Sequence, residues 1–226
     1  MTTVKLLDDG FIRLDAALAD DLAVVNAARV SFGVRREDMD ERDHGLIGFL
    51  IRERHGTPFE HAVFRFHIRC PIFVAREWFR HRIGSFNELS GRYARLDEAF
   101  YVPAIEDVRT QVGKPGSYTF EQIEPELAEQ TRARMAASYH ESYRTYEALL
   151  ADGVAREIAR CVLPVGLYTE FYWTLNARSL MNFISLRAAE TALREIRVYA
   201  LALETMLEQA MPVTHAAFVA NGRIAP

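Results

Sequence analysis

The sequence predicts one domain of mixed α/β (α+β) class, because it combines alternating apolar segments with longer helical patterns and contains no linker. Its 226 residues are 50% hydrophobic and 11% aromatic, which is enough apolar material to bury a substantial core. No internal repeat or low-complexity tract divides the chain. We therefore expect residues 1–226 to form a single domain.

Two segments alternate between apolar and polar residues, as half-buried strands do. In HAVFRFHIRC (61–70) and GLYTEFYWTL (166–175), every second residue falls on one largely apolar face. We expect each segment to be a strand with that face toward the core. The residues expected to point inward are Ala62, Phe64, Phe66, Ile68 and Cys70 in the first segment, and Leu167, Thr169, Phe171, Trp173 and Leu175 in the second.

Helical patterns fill much of the remaining chain. Residues 20–30 and 40–55 begin with acidic side chains, which favour a helix N-terminus. Pro71 suits the first turn of a short helix over 71–79. Longer helices are expected over 121–151 and over 189–210, where Pro212 would stop the second one. The turn-rich residues 102–118 predict a long surface loop or insertion.

Composition argues against several classes of protein. The formal net charge is −4, whereas a domain dedicated to DNA or RNA usually carries a strong positive balance. Cys70 and Cys161 are far apart and form no zinc or disulfide pattern, so we expect reduced cysteines in a cytoplasmic protein. The N-terminal MTTVKLLDDG has no signal-peptide pattern, and no apolar run is long enough to span a membrane.

The segment RHRIGSFNELSGRY (80–93) concentrates polar side chains directly after the predicted short helix. Helical apolar spacing fails after Arg80, and Gly84 and Gly91 disfavour a continuous helix, so we expect a helix end, a loop and a returning strand. Arginine and serine donors suit phosphate oxygens, whereas the ionised carboxylate of Glu88 only accepts hydrogen bonds. The mixture favours a nucleotide-like ligand, and a surface salt-bridge network is the open alternative.

Two further polar segments have similar chemistry. NARSLMNFISLR (176–187) places a predicted helix start after a strand, where unpaired N–H groups favour anions, although an ordinary asparagine cap is the alternative. In HGTPFEH (55–61), Thr57 precedes Pro58 and is held extended, which leaves its hydroxyl available to a ligand. His55 and His61 accompany no ordered carboxylate set, so we predict no metal site.

Together these three segments resemble those of the flavin-dependent thymidylate synthases. RHRIGSFNELSGRY fits the pattern R-H-R-x-x-S-x-N-E-x-S-x-R-Y, and the other two segments look like that family's HGTPFEH-type turn and its N-x-R-S-x-x-N…LR segment, in the same order. The resemblance extends over roughly residues 20–210, which is most of the chain.

The resemblance implies a homotetramer of mixed α/β protomers, each with a central sheet flanked by long helices and with active sites formed between subunits. It implies methylation of dUMP to dTMP, with the methylene taken from 5,10-methylenetetrahydrofolate and reduced by hydride from FAD. NADPH would reload the flavin, and tetrahydrofolate would leave. The implied partners are small molecules, with neither nucleic acid nor membrane among them.

The resemblance also implies which residues bind each ligand. The residues expected to contact FAD are Thr57, Arg80, His81, Arg82, Ile83, Glu88, Asn176, Arg178 and Asn182, with Ser31 as a secondary candidate. The residues expected to bind dUMP are Glu77, Arg80, Glu88, Ser90, Gly91, Arg92, Arg160 and Arg187, some of them from a neighbouring subunit.

Arg187 is the expected catalytic residue. A guanidinium is already protonated and is a poor base, so its task would be to stabilise a uracil ring that has lost its N3 proton. Such activation requires no covalent enzyme nucleophile, and neither cysteine occurs in an activating cluster. Arg80, Arg92 and Arg160, together with Ser90, can match the phosphate oxygens.

Three positions depart from the family's pattern. Glu77 stands where some members carry glutamine, and Thr191 and Leu193 stand where others often carry histidine and glutamine. These departures leave open a flavin or nucleotide binder without catalysis. A nucleic-acid-binding module that uses the RHR cluster is the alternative from another class, and it predicts affinity that falls steeply with salt.

Overall fold

The computed structural model describes residues 3–114 and 117–226. The strands of these residues are β1 (Thr3–Leu6), β2 (Gly10–Leu18), β3 (Val63–Pro71), β4 (Ser85–Glu88), β5 (Arg109–Lys114), β6 (Ser117–Gln122) and β7 (Tyr168–Asn176). The α-helices are α1 (Asp21–Arg29), α2 (Glu41–Arg52), α3 (Ile72–Trp78), α4 (Pro125–Ala151), α5 (Arg156–Ala159), α6 (Ala177–Arg187), α7 (Arg194–Ala210) and α8 (Pro212–Ala220). The fold is of the expected mixed α/β class.

The main sheet has five antiparallel strands in the order β1-β2-β3-β7-β4. The two alternating segments are its central strands, β3 and β7, which pair with Phe66 opposite Trp173 and Ile68 opposite Phe171. Every residue expected to point inward on these strands is at most 5% exposed, which confirms both strand predictions. Tyr168 is also buried, on the other face, where its hydroxyl donates a hydrogen bond to the carboxylate of Asp8.

An aromatic cluster around Trp78 joins the sheet to the helices that pack on it. The Trp78 ring is fully buried and lies 5.3 Å from Trp173 on β7, 4.8 Å from Phe183 on α6 and 5.6 Å from Tyr199 on α7, measured between ring centroids. One side chain therefore contacts three elements besides its own. This packing fixes the position and rotation of α3, and with them the start of the polar segment 80–93.

The expected helices over 20–30, 40–55 and 71–79 are present as α1, α2 and α3, with ends shifted by a few residues. Asp20 caps α1 by accepting a hydrogen bond from the backbone N–H of Ala23. Asp40 and Asp43 form a reciprocal capping box at the start of α2. The acidic residues at these two starts are thus the caps themselves and not only favourable charges.

The structure differs from expectation between residues 102 and 125. The expected surface loop contains the two-stranded hairpin β5–β6, paired from Arg109 opposite Gln122 to Lys114 opposite Ser117. Pro115 and Gly116 of that loop lie outside the described residues. The hairpin strands are almost entirely exposed, so they lack the apolar alternation that reveals a half-buried strand. Because β6 extends to Gln122, α4 begins at Pro125 and not at residue 121.

The last long helix also begins later than expected, at Arg194 and not at residue 189. Pro212 follows its end as expected, and the same proline occupies the first turn of α8, where its missing N–H costs nothing. No helix among the described residues is both long and apolar enough to cross a membrane.

We expect Trp78→Ala to lower the free energy of unfolding by about 3–5 kcal/mol, because it removes a large, fully buried ring from a packed cluster. The matched control is Phe120→Ala on the hairpin, where the ring is 52% exposed and the expected cost is below about 1 kcal/mol. Chemical denaturation of both variants measures the difference. Equal costs would show that Trp78 is not central to the core.

Candidate functional site

The polar segment 80–93 forms a helix end, a loop and a returning strand, as its sequence predicted. Helix α3 ends at Trp78, and the chain passes through Arg80–Gly84 without regular structure before it enters β4. Strand β4 pairs antiparallel with β7, with Phe86 opposite Trp173. The loop is therefore held at both ends, by a buried helix and by the edge of the sheet.

A cleft of about 510 Å³, which we call the arginine cleft, brings together residues from distant parts of the chain. Its lining includes most of the residues predicted to bind the flavin and the predicted catalytic residue. The lining residues are Glu60, Arg80, His81, Arg82, Ile83, Arg178, Ser179, Asn182, Leu186, Arg187, Ala225 and Pro226. The structure thus places the front of segment 80–93 against the polar face of α6.

Arg187 is held in the arginine cleft by two neighbouring side chains. Its Nη1 donates to the Glu77 carboxylate at 3.1 Å, its Nη2 faces the Glu77 backbone carbonyl at 3.4 Å, and its Nε donates to Nε2 of His81 at 3.1 Å. The Arg187 side chain is 23% exposed, so part of it remains open to the cleft. The Glu77 carboxylate faces a guanidinium, which is how the chain accommodates an acidic residue at this position.

His81 is a neutral imidazole at this site. Burial, together with the positive charge of Arg187, lowers the pKa of His81 to about 4. Since Nε2 of His81 accepts the hydrogen bond from Arg187, the ring proton belongs on Nδ1. The His81 ring also lies 4.7 Å from the ring of Phe183, which fixes its place beside α6.

At the start of α6, two predicted flavin-binding residues are already engaged by protein groups. Asn176 caps the helix, with its side-chain oxygen accepting from the Ser179 N–H at 2.9 Å. Arg178 donates through Nε to the Pro226 carbonyl at 2.9 Å and through Nη1 to Glu60 at 2.6 Å. The ordinary cap considered for Asn176 is therefore present, and its amide N–H groups make no hydrogen bond to the described residues.

Arg80 and Arg82 form no side-chain hydrogen bond or ion pair within residues 3–114 and 117–226, and both side chains are exposed. Asn182 and Ser179 add an amide and a hydroxyl to the same cleft. Forked cationic donors suit a pyrophosphate, and amide groups suit the edge of a heterocycle that both donates and accepts. The donor set of the arginine cleft therefore fits a flavin dinucleotide.

A second cleft, of about 320 Å³, contains part of the predicted dUMP set, and we call it the Arg160 cleft. Glu88, Gly91 and Arg160 line it, whereas Ser90 and Arg92 do not. A Cβ at Gly91 would lie 3.1 Å from Cδ of Arg160 and 2.9 Å from Cδ1 of Leu96, so the close approach of these side chains depends on glycine.

Some polar side chains around the Arg160 cleft already form hydrogen bonds or ion pairs with other protein groups, and others do not. The Arg160 side chain has no hydrogen-bond or ion-pair partner within the described residues. By contrast, Arg92 forms an ion pair with Glu157 at 3.3 Å, and Glu88 accepts a hydrogen bond from the Thr169 hydroxyl at 2.7 Å. Arg160 is therefore available to an anionic ligand, and so is the exposed Arg76, which also lines this cleft and makes no side-chain hydrogen bond or ion pair within the described residues.

The remaining predicted contacts, Thr57 and Ser31, meet in a third cleft of about 390 Å³ that also contains His55 and His61. The three clefts share no lining residue. Helix α3 contributes residues to the Arg160 cleft, and the loop that follows α3 contributes residues to the arginine cleft. A single protomer therefore does not bring Arg187, Arg160 and Thr57 into one cavity.

No group of three or more potential metal ligands occurs within the described ranges.

Cys70 is poorly suited to nucleophilic chemistry. Burial and the nearby charge of Glu88 raise the pKa of the Cys70 thiol well above its usual value, and its side chain is 0% exposed. Cys161 is exposed, and its thiol lies 3.7 Å from the backbone carbonyl of Glu157. Within the described residues, neither thiol makes a hydrogen bond to a side chain that could activate it for attack on a substrate carbon.

Sequence reasoning missed several residues of the arginine cleft. Glu60 holds Arg178, and Gly56 allows the approach, since a Cβ there would lie 2.4 Å from Arg178 Nε. Both belong to the HGTPFEH segment, so the motif was identified but these roles within it were not. Ala225 and Pro226 carry no chemical signal of their own, and only the fold shows that they line this cleft.

Comparison with known proteins finds relatives that match nearly the whole chain. The family model described as "Thymidylate synthase complementing protein" matches residues 14–213. The flavin-dependent thymidylate synthase of Thermotoga neapolitana is 46% identical over 96% of this chain and 94% of its own length. That of Streptomyces coelicolor is 45% identical over 99% of this chain and 96% of its own length.

Among solved structures, the UMP/dUMP methylase PolB from Streptomyces cacaoi has a similar fold. The PolB structure bound with 5-Br UMP superimposes with a TM-score of 0.90 at 43% identity and covers 99% of this chain and 100% of its own. The structure bound with 5-Br dUMP gives a TM-score of 0.90 at 42% identity. The family model, the near-complete coverage by relatives and the shared fold lead to one conclusion: this chain belongs to the family of flavin-dependent thymidylate synthases.

Proposed function

We propose that the protein catalyses the reductive methylation of dUMP to dTMP. In this proposal 5,10-methylenetetrahydrofolate donates the carbon, FAD is the bound cofactor, NADPH is the reductant, and tetrahydrofolate is released. The observation that carries the proposal is the position of Arg187, held by Glu77 and His81 in the cleft whose donor set fits a flavin. The names of the relatives and the nucleotide analogues bound to PolB support it.

The arginine cleft would hold the flavin. Arg80 and Arg82 would donate to its pyrophosphate, because their guanidinium groups are not committed to other described residues. Bound FAD supplies the hydride that reduces the transferred carbon. His81, Ile83, Arg178 and Asn182 would shape the rest of this site, while Thr57, Ser31, Glu88 and the Asn176 amide are proposed contacts from other parts of the assembled protein.

The Arg160 cleft would hold the phosphate of dUMP. Arg160 offers an uncommitted guanidinium there, and Gly91 leaves room for the Arg160 side chain to lie close to the backbone. Ser90 and Arg92 adjoin this cleft in the chain, and the exposed Arg92–Glu157 ion pair is weak enough to exchange for a phosphate. Arg80, Glu77 and Glu88 complete the proposed substrate contacts.

Arg187 would activate the uracil without forming a covalent bond. Its positive charge would stabilise the ring after loss of the N3 proton, since a fixed charge in a partly buried site needs no reorganisation as the anion develops. The buried Cys70 thiol, with its raised pKa, supports a route without an enzyme nucleophile. The position of Arg187, fixed by Glu77 and His81 and partly open to the cleft, favours catalysis over a flavin binder without activity.

We propose that the active site is shared between subunits of a homotetramer in the cytoplasm. The arginine and Arg160 clefts are separate in one protomer, and large apolar side chains at the rims of clefts are exposed: Phe32 by 83% and Ile83 by 74%. Such exposed apolar groups beside polar clefts are typical of surfaces that a partner covers. A second copy of the chain would bury them and complete each site. The two free cysteines suit a reducing compartment.

We expect the purified protein to bind FAD and turn yellow, and to form dTMP from dUMP only when methylenetetrahydrofolate and a reductant are both present. Visible absorption measures flavin binding, and chromatography of the products measures turnover. UMP is assayed in parallel, because PolB is described as acting on both nucleotides. A protein that stays colourless in excess FAD would contradict the cofactor assignment.

We expect Arg187→Ala to lower kcat/KM about 10²–10³-fold while the affinity for FAD changes little, because the lost charge acts on the uracil. Arg160→Ala should act mainly on the KM for dUMP, raising it about tenfold or more. Arg144→Ala, which removes an exposed arginine paired with Glu141, is the control. Thermal unfolding and a flavin titration establish that each variant is folded. Turnover of Arg187→Ala within threefold of wild type would exclude the activating role.

We expect a solution mass of four times the 25.8 kDa of one chain, measured by light scattering after size exclusion. We also expect mixed oligomers of Arg187→Ala and Arg160→Ala, co-expressed with different tags and assayed at dUMP concentrations well below the KM of Arg160→Ala, to be more active than either variant alone. Activity would recover because some sites in such mixtures combine the intact Arg187 of one subunit with the intact Arg160 of another. A monomeric mass, or no recovery in verified mixed oligomers, would contradict the shared site.

A further inference from the structure

The three contacts of Arg187 determine which of its donors remain for a ligand. Nε is used by His81, while Nη1 and Nη2 each use one hydrogen on Glu77, through its carboxylate and its carbonyl. One hydrogen therefore remains on each terminal nitrogen. These two N–H groups are the donors that a ligand at Arg187 would meet.

The contact at Nε differs from the other two, because it depends on the protonation state of its partner. Nε2 of His81 can accept the hydrogen bond from Arg187 only while the imidazole ring is neutral. A protonated ring would present a second N–H donor and a like charge to the guanidinium. Arg187 on α6 is the charged group in contact with His81. Glu77 on α3 binds the other edge of that guanidinium, and Arg80 and Arg82 flank His81 along the chain.

We propose that His81 is a positioning residue for Arg187: its neutral, Nδ1-protonated imidazole accepts from Nε and, together with Glu77, holds the two free donors of the guanidinium toward the substrate. This role is additional to the proposed flavin contact of His81, and its catalytic consequence rests on the proposed activation of uracil by Arg187. The Phe183 ring, 4.7 Å from the imidazole, supports the same orientation from the side of the core.

The structural part of the proposal is tested without substrate. Protein carrying ¹⁵N-labelled histidine is titrated by NMR, and the His81 signals are assigned from their absence in His81→Gln. We expect the Nδ1-protonated neutral form from pH 8 down to pH 5, because the pKa of His81 is lowered to about 4. Arg187→Gln should raise that pKa, since the neighbouring positive charge is removed. A His81 that titrates near its ordinary pKa of 6.5, or that carries its proton on Nε2, overturns the proposal.

The functional part compares two substitutions at fixed flavin occupancy. His81→Gln retains an oxygen that can accept from Nε, whereas His81→Phe keeps a ring of similar size but has no acceptor. We expect His81→Phe to lose about 10- to 100-fold in kcat, the cost of one charge-assisted hydrogen bond, and His81→Gln to recover most of that loss. His140→Gln, at an exposed histidine on α4, is the matched control.

The outcomes separate the two proposals. If wild-type protein forms no dTMP, the proposed function fails, while the NMR titration still tests the contact between His81 and Arg187. If wild type is active and the two His81 variants lose kcat equally, the acceptor has no role and the positioning proposal is wrong. If His81→Phe does not fold, His81→Gln and the titration decide alone: loss of more than tenfold in kcat by His81→Gln would overturn the proposal.

Discussion

The packing of Trp78 is the interaction on which the rest of the site depends. This ring lies between the central strand β7 and helices α6 and α7, so the short helix α3 cannot shift or rotate without opening the core. The residue before Trp78 is Glu77, which binds Arg187, and the residues after Phe79 form the loop that carries Arg80 and His81. An apolar contact thereby places the charged groups of the arginine cleft.

Sequence reasoning identified the features that have a local signal. The apolar alternation of β3 and β7 and the acidic starts of α1 and α2 are consequences of burial and of unpaired N–H groups, so each is readable from neighbouring residues. The hairpin β5–β6 has no buried face, so its sequence predicts a loop and not paired strands. For the site, residue types and order indicate which side chains are candidates for function, and the resemblance to a family suggests their ligands.

The pairing of site residues could not be predicted, because it depends on tertiary contacts between distant segments. Nothing near Glu77 indicates that its carboxylate meets Arg187, and the low pKa of His81 arises from burial and from that same arginine. Similarly, the division of the predicted residues among separate clefts follows from the path of α3. Charge at a site is therefore determined by the fold as much as by residue type.

The placement of two clefts on either side of one seven-residue helix has a thermodynamic consequence. A ligand that shifts α3 slightly in one cleft changes the shape of the other, so the two binding equilibria would share a coupling free energy. Such coupling is reciprocal: if a nucleotide in the Arg160 cleft tightens a flavin in the arginine cleft, the flavin tightens the nucleotide by the same factor. A rigid core beneath α3 keeps that coupling small, and a looser core would increase it.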